Sequence, residues 1–449
     1  MKLAHPGTSA AHHNEKHHEG PEPVLPDYAP DPKGIPLARF PAGHAITTRP
    51  GRLRAYPGLL SEAPTTLPLY RIAAKSLHSA RHTVDLGCGA GEGFQALAFN
   101  PGHLIGLDID PNAVAFAKEY LPTLTFRQAD IAFAYDPESC DGAVLVDVLG
   151  QVSNPFAVLR AAATRLVPGG TLVVAEPVAY PAQVLRVPMR RAFSKRALEA
   201  QLLAAGFDPV TVLMDHGPFV VLSAAKCPTP ASVALAKGID ALDQGDFDAA
   251  LNSFRITALD SRKDLVLEAR LSSADAHLAR GDGDAACQEY FAAGKLDPTD
   301  ARCLAGLAQL MLSSGETYEA LRLARAALDL DTTEVSAAIV HAVVLESLEP
   351  DRAAAAWTLA ANLAPDRFDP VVRLVQIASD TGRHAFALQQ LERLRAYGDD
   401  HGTRLHLAFA HAFRAAGRRA DARLEVQIAL TKEPSDPEAN LLSRQLRAD

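Results

Sequence analysis

The sequence predicts two folds in series: a doubly wound α/β domain on a seven-stranded sheet, then an all-α solenoid of paired helices. Three observations carry this. Short apolar strands alternate with amphipathic helical stretches from Thr83 to about Lys226, and beyond that point strands cease. From Gly245 to Ala422 a Gly-to-Ala pattern recurs about every 34 residues, the period of helix-pair repeats. At 449 residues the chain also exceeds what one ordinary core serves.

Five strands read as TVDLG, HLIGLDI, LTFRQAD, DGAVLVDVL and TLVVAEP, each separated from the next by a helical stretch, and VTVLMD and FVVLSAA close the sheet. Gly169-Gly170 after Pro168 stops one helix ahead of its strand. Ser194 suits the N-cap of the helix KRALEAQLLAAG, which ends at Gly206.

In the repeats, Gly245, Gly281, Gly315, Gly382 and Gly417 are followed five residues on by Ala250, Ala286, Ala320, Ala387 and Ala422. A degenerate unit fits between the third and fourth, with Glu349 in the Gly position and Ala354 in the Ala position. The Gly turns the chain between helices, and the small Ala lets the two helices approach. Phe254, Tyr290 and Val426 fill a large position four residues later, and Pro298, Pro365 and Pro434 close units where a helix cannot continue.

The expected domains are a disordered tail over 1–36, an extension or lid over 37–75, the α/β domain over 76–227 and about six repeats over 228–449. His12, His13, His17 and His18 in the tail are weak metal ligands or merely solvated. The extension places Arg39, Arg49, Arg52 and Arg54 among apolar residues, as a cover over an anionic group or a plain surface segment would.

The net charge is −9, and the acidic excess lies in the C-terminal half, which argues against a nucleic-acid-binding field over the whole protein. No apolar run approaches the ~18 to 20 residues of a membrane span, and the N-terminus is polar where a secretory segment would be apolar. The five cysteines are widely spaced with no CxxC pair, so neither disulfides nor a metal site is expected. A cytoplasmic protein with reduced thiols follows.

The chemistry centres on VDLGCGAGEG, Val84 to Gly93. Asp85 ends a strand, and Gly87, Gly89 and Gly91 follow in a turn that lets backbone approach a ligand. The spacing is GxGxG, and Glu92 stands where a dinucleotide fingerprint wants its third glycine. The next strand ends at Asp108 and Ile109, where a carboxylate can accept from ribose hydroxyls. The third ends at Asp130 and Ile131, which can meet an adenine.

These motifs, with DVLGQVSNPFAVLRAAATRLVPGGTLVVAEP and FSKRALEAQLLAAGF, resemble the class I S-adenosylmethionine-dependent methyltransferases, which have a Rossmann-like seven-stranded sheet. The resemblance implies S-adenosylmethionine as cofactor. Its methionine part would lie on Asp85 and the Gly87 to Gly91 loop, its ribose on Asp108, and its adenine on Asp130 and Ile131, with Ile109 also among the cofactor-binding residues. Asp147 would line the methyl-transfer pocket. The C-terminal half resembles the tetratricopeptide repeat family, which implies a protein partner in its groove.

Many relatives carry histidine after the VL that follows Asp147, whereas this chain reads Gly150-Gln151. Asp147 and Glu176 are therefore the candidates for orienting or deprotonating an acceptor, against a structural role at their strand ends. The basic run with Arg186, Arg190, Arg191, Lys195 and Arg196 reads as a solvated loop or as a cover for an anionic acceptor. Three functions stay open: methylation of a small molecule, favoured by the core; methylation of a protein bound by the repeats; and a silent interaction scaffold.

Overall fold

The computed structural model of the protein describes residues 66–97, 103–133, 140–178, 189–215, 217–398 and 401–448, with the backbone of 45–48 and 52–55. The expected tail with its histidines, the side chains of the arginines in the extension, and Arg186 lie outside the described residues. An antiparallel hairpin, β1 (Ala45–Thr48) with β2 (Arg52–Ala55), precedes helix α1 (Leu67–Ser76).

The sheet comprises β3 (His82–Leu86), β4 (His103–Asp108), β5 (Thr125–Gln128), β6 (Cys140–Val146), β7 (Leu166–Pro177), β8 (Val210–Met214) and β9 (Phe219–Ala225). Their order is β5-β4-β3-β6-β7-β9-β8, with β9 antiparallel to both β7 and β8 and the rest parallel. These are the seven strands expected from the sequence. Between them run α2 (Phe94–Leu97), α3 (Pro111–Tyr120), α4 (Pro155–Arg165) and α5 (Lys195–Ala204).

The near-continuous apolar runs of β6 and β7 follow from burial on both faces. Leu145, Leu172 and Val174 join Val158 and Leu159 of α4 and Leu198 and Leu202 of α5 in one core. Val144, Val146 and Val173, on the alternate face, meet Leu69, Tyr70 and Ala73 of α1 in another. Helix α1 is thus a layer of the α/β domain, although the sequence pattern assigned residues 67–75 to the extension. Ser194 caps α5 by accepting from the Ala197 N–H at 3.2 Å.

Past β9, Thr229 caps α6 and opens the solenoid. Six helix pairs follow among the described residues: α6 (Pro230–Asp243) with α7 (Phe247–Thr257), α8 (Lys263–Arg280) with α9 (Gly283–Leu296), α10 (Ala301–Ser313) with α11 (Thr317–Leu330), α12 (Val335–Leu348) with α13 (Pro350–Leu363), α14 (Phe368–Asp380) with α15 (His384–Ala396), and α16 (Gly402–Ala415) with α17 (Arg419–Lys432). Helix α18 (Pro437–Ala448) covers the last pair. The five turn glycines hold φ between 73° and 83°, and the five paired alanines are fully buried.

The degenerate unit departs from the expected register. Glu349 has φ −139° and caps both α12 and α13, so this turn is a single residue without the left-handed conformation, where the other five pairs have two or three. Ala353 (3% exposed), not Ala354, therefore takes the buried small position, and Trp357 fills the large position four residues later.

The solenoid and the α/β domain pack directly. Leu203 of α5 shares a core with Ala231, Leu235, Phe254 and Leu265 of the repeats. Around it, Arg160 pairs with Asp240 and Arg196 with Asp297, while Arg262 of the repeats pairs back to Asp208. Ala353→Leu should overpack the α12–α13 contact and lower stability by about 1–3 kcal/mol in urea unfolding, whereas Ala354→Leu should stay within about 0.5 kcal/mol. A larger loss for Ala354→Leu than for Ala353→Leu would place the register as the sequence spacing had it.

Candidate active site at the carboxyl edge of the sheet

Because β5, β4, β3, β6 and β7 are parallel, their carboxyl ends share one edge, where open α/β sheets take ligands. Asp85 lies near the carboxyl end of β3 and is fully buried. Its Oδ1 accepts from the Tyr70 hydroxyl at 3.2 Å, and its Oδ2 has no hydrogen-bond partner among the described residues. Burial, reinforced by the carboxylates of Asp108 and Glu92 and opposed by Tyr70, raises Asp85 from the ordinary carboxylate range to about 8.

The loop after it is left-handed at Gly87, Gly89 and Gly91, with φ of 83°, 56° and 86°. Two of these glycines are required by the protein itself. A Cβ on Gly87 would stand 2.6 Å from Val148, and one on Gly91 would stand 2.9 Å from Leu121 and 3.0 Å from Phe126. The Gly89 N–H donates to Asp108 Oδ2 at 2.8 Å.

Asp108 also accepts from the Asp110 N–H through Oδ1 at 2.9 Å, so each oxygen already holds one backbone donor and keeps a further lone pair. Ile109 is 43% exposed beside it. Asp130 is exposed and accepts from the Ala132 N–H at 2.9 Å, a local turn bond. Ile131 is 7% exposed and belongs to the core beneath, which leaves Ile109 as the exposed apolar side chain of the pair.

Asp147, just past β6, has φ 57° and is the non-glycine residue in the left-handed region among the described residues. Such a backbone costs of order 1 kcal/mol and persists only when its surroundings hold it. Its N–H donates to the Ala175 carbonyl at 2.8 Å, and the Gln151 side chain donates to its carbonyl at 2.5 Å. Glu176, fully buried on β7, accepts from the N–H groups of Val148 at 2.9 Å, Leu149 at 2.7 Å and Gly150 at 3.1 Å. Burial and the Asp147 carboxylate push Glu176 up to about 8, against the pull of those three donors.

Two features escaped the sequence reading. Tyr70 comes from α1, and its ring leaves no room at Gly93, where a Cβ would stand 2.2 Å away; no spacing links residue 70 to the glycine loop. The described basic residues of the run each meet a carboxylate. Arg190 and Arg191 reach Asp366 at 3.6 and 3.3 Å, Arg196 pairs with Asp297, and Lys195 meets Asp215 at 3.1 Å.

The folded state holds Asp85 protonated to higher pH than the unfolded chain does. The stability this group contributes therefore falls as pH rises from about 4 toward 8. Asp85→Asn should flatten the pH dependence of urea unfolding by up to about 1 kcal/mol per pH unit across that window. An unchanged slope would mean the carboxyl is ionised throughout.

The chain is similar to known proteins over this part of the sequence. A family model described as a methyltransferase domain matches residues 84–174. The trans-aconitate 2-methyltransferase of Acidovorax ebreus is 34% identical over 172 residues, 37% of this chain and 65% of that protein. The ubiquinone biosynthesis O-methyltransferase of Xanthomonas campestris pv. campestris is 30% identical over 107 residues, 22% of this chain and 45% of that one. The chain thus spans less than two thirds of the length of these relatives. YrrB, a tetratricopeptide-repeat protein with an unusual peptide-binding site, aligns at 17% identity and a TM-score of 0.35 over 43% of this chain and 100% of its own. This chain therefore carries a methyltransferase domain at residues 84–174, within a Rossmann-like seven-stranded sheet that a solenoid of paired helices follows.

Proposed function

We propose that the protein is an S-adenosylmethionine-dependent methyltransferase acting on a small-molecule acceptor, with the helical repeats as a docking surface for a protein partner. The observation that carries this is the buried Asp85 carboxylate, whose Oδ2 lacks a partner at the foot of the glycine loop. An unsatisfied buried acceptor of this kind suits a ligand ammonium. Asp108 retains lone pairs for ribose hydroxyls, and Asp130 with the exposed face of Ile109 and the backbone of Ile131 suits an adenine.

Bound S-adenosylmethionine supplies an electrophilic methyl group on a sulfonium. The chain's part is to align the acceptor and keep water out. Asp147, in its strained backbone, is the group assigned to orient the acceptor. Glu176 positions the loop that carries it, since both its oxygens are taken up by backbone donors. The names of the trans-aconitate and ubiquinone-biosynthesis relatives favour a small acceptor.

Calorimetry on the full chain tests the cofactor site. S-adenosylhomocysteine should bind, Asp108→Ala should weaken it roughly tenfold or more, and absence of binding to the wild-type chain would sink the enzyme reading. Because a ligand ammonium holds Asp85 ionised, binding should release protons and tighten as pH rises toward 8. Equal heats in buffers of different ionisation enthalpy would contradict that. Methyl-labelled cofactor, incubated with trans-aconitate and separately with cell extract, decides the acceptor: label on small metabolites is expected, and label on polypeptide alone would favour a protein acceptor.

A further inference from the structure

We propose that Asp366, in the solenoid, is a positioning residue for methyl transfer: the repeats hold the acceptor-side loop of the methyltransferase domain in its working geometry. This rests on the methyltransferase reading above and adds to it a role for a residue more than two hundred positions from the loop it serves.

The link is a chain of direct contacts. The loop after Asp147 is held on one side by Glu176, which takes the N–H groups of Val148, Leu149 and Gly150. On the other side the Gly150 carbonyl accepts from the N–H groups of Arg190 at 2.7 Å and Arg191 at 3.2 Å. The fit is close. A Cβ on Gly150 would stand 2.6 Å from the Met189 methyl and 2.8 Å from the Arg191 carbonyl oxygen. Arg191 also donates to the Ser153 carbonyl at 3.0 Å, a second tie to the same segment.

Residues 189–191 are in turn anchored on the repeats. The Tyr397 hydroxyl donates to the Met189 carbonyl at 2.7 Å. The Arg190 guanidinium lies 5.4 Å from the centre of the Tyr397 ring and donates to the Tyr397 carbonyl. Arg190 and Arg191 then converge on one carboxylate, Asp366, in the turn between α13 and α14, whose side chain is only 15% exposed. Two guanidiniums beside each other repel, and the shared carboxylate is what lets them lie together. Asp366 is itself fixed, since its carbonyl oxygen lies 3.1 Å from the ring nitrogen of His401.

The domains already have an apolar contact through Leu203, so this second, polar attachment is not needed simply to hold them together. Its position is what distinguishes it. It ends on the residues that follow Asp147, whose left-handed backbone must be held by its surroundings.

The test uses the full chain, with amide hydrogen exchange read by peptide and S-adenosylhomocysteine binding read by calorimetry. Asp366→Asn should accelerate exchange at Val148, Leu149 and Gly150 by roughly tenfold, with peptides of α15 to α17 and the binding constant changed by less than about twofold. Asp366→Glu should restore part of the protection. Unchanged exchange at 148–150 overturns the proposal, and so does an equal acceleration throughout the repeats, which is what a purely structural residue would give. If Asp366→Asn does not fold, Tyr397→Phe removes the bond to Met189 alone and should give about a threefold local acceleration. A wild-type chain that binds no S-adenosylhomocysteine defeats the methyltransferase reading, while the exchange comparison still decides the role of Asp366.

Discussion

The Glu176 carboxylate is the constraint on which the site's geometry rests. It is fully buried on β7 and accepts three consecutive backbone N–H groups from the loop after β6. A buried carboxylate without such donors would cost several kcal/mol, and three buried N–H groups without an acceptor would cost a similar amount. Each half of the arrangement therefore requires the other. The loop so held carries Asp147 in a left-handed backbone and presses Val148 into the space left by the missing side chain of Gly87. Cofactor-side and acceptor-side loops thus touch where Val148 meets Gly87.

Residues 189–191 tie the same loop to the repeats. The acidic excess of the C-terminal half has a structural use: Asp240, Asp297 and Asp366 receive Arg160, Arg196 and the Arg190–Arg191 pair. Part-exposed ion pairs contribute about 0–1 kcal/mol each, so adhesion comes chiefly from the apolar contact of Leu203 with α6 and α8. Beside that contact, Asp366 and Tyr397 lie against residues 189–191.

Much of this was legible in the chain. Seven strands and the Ser194 cap follow from apolar alternation and local hydrogen-bonding chemistry, which a single sequence records, although Gly169-Gly170 lies within β7 and not ahead of it. The 34-residue recurrence gave the helix pairs for the same reason. Its one failure is instructive. Counting five residues from Glu349 points to Ala354, but a turn without a left-handed glycine is shorter, and Ala353 and Trp357 are the buried pair. The pattern reads spacing and cannot see the length of an irregular turn.

By itself, then, the sequence determined the identity of the two folds and the residues at the strand ends, Asp85, Asp108, Asp130 and Asp147, because periodicity and motif spacing are properties of neighbours along the chain. Only the tertiary structure decided what those residues touch. It brought Tyr70 of α1 to Asp85, turned both oxygens of Asp108 toward backbone N–H groups, and occupied Glu176 with the loop it holds. It also set Arg191 and Arg196, from a basic run that reads as a solvated loop or an acceptor cover, against carboxylates more than one hundred residues away. Charge complementarity across such a separation leaves no period in the sequence, and it exists only once two independently folded surfaces meet.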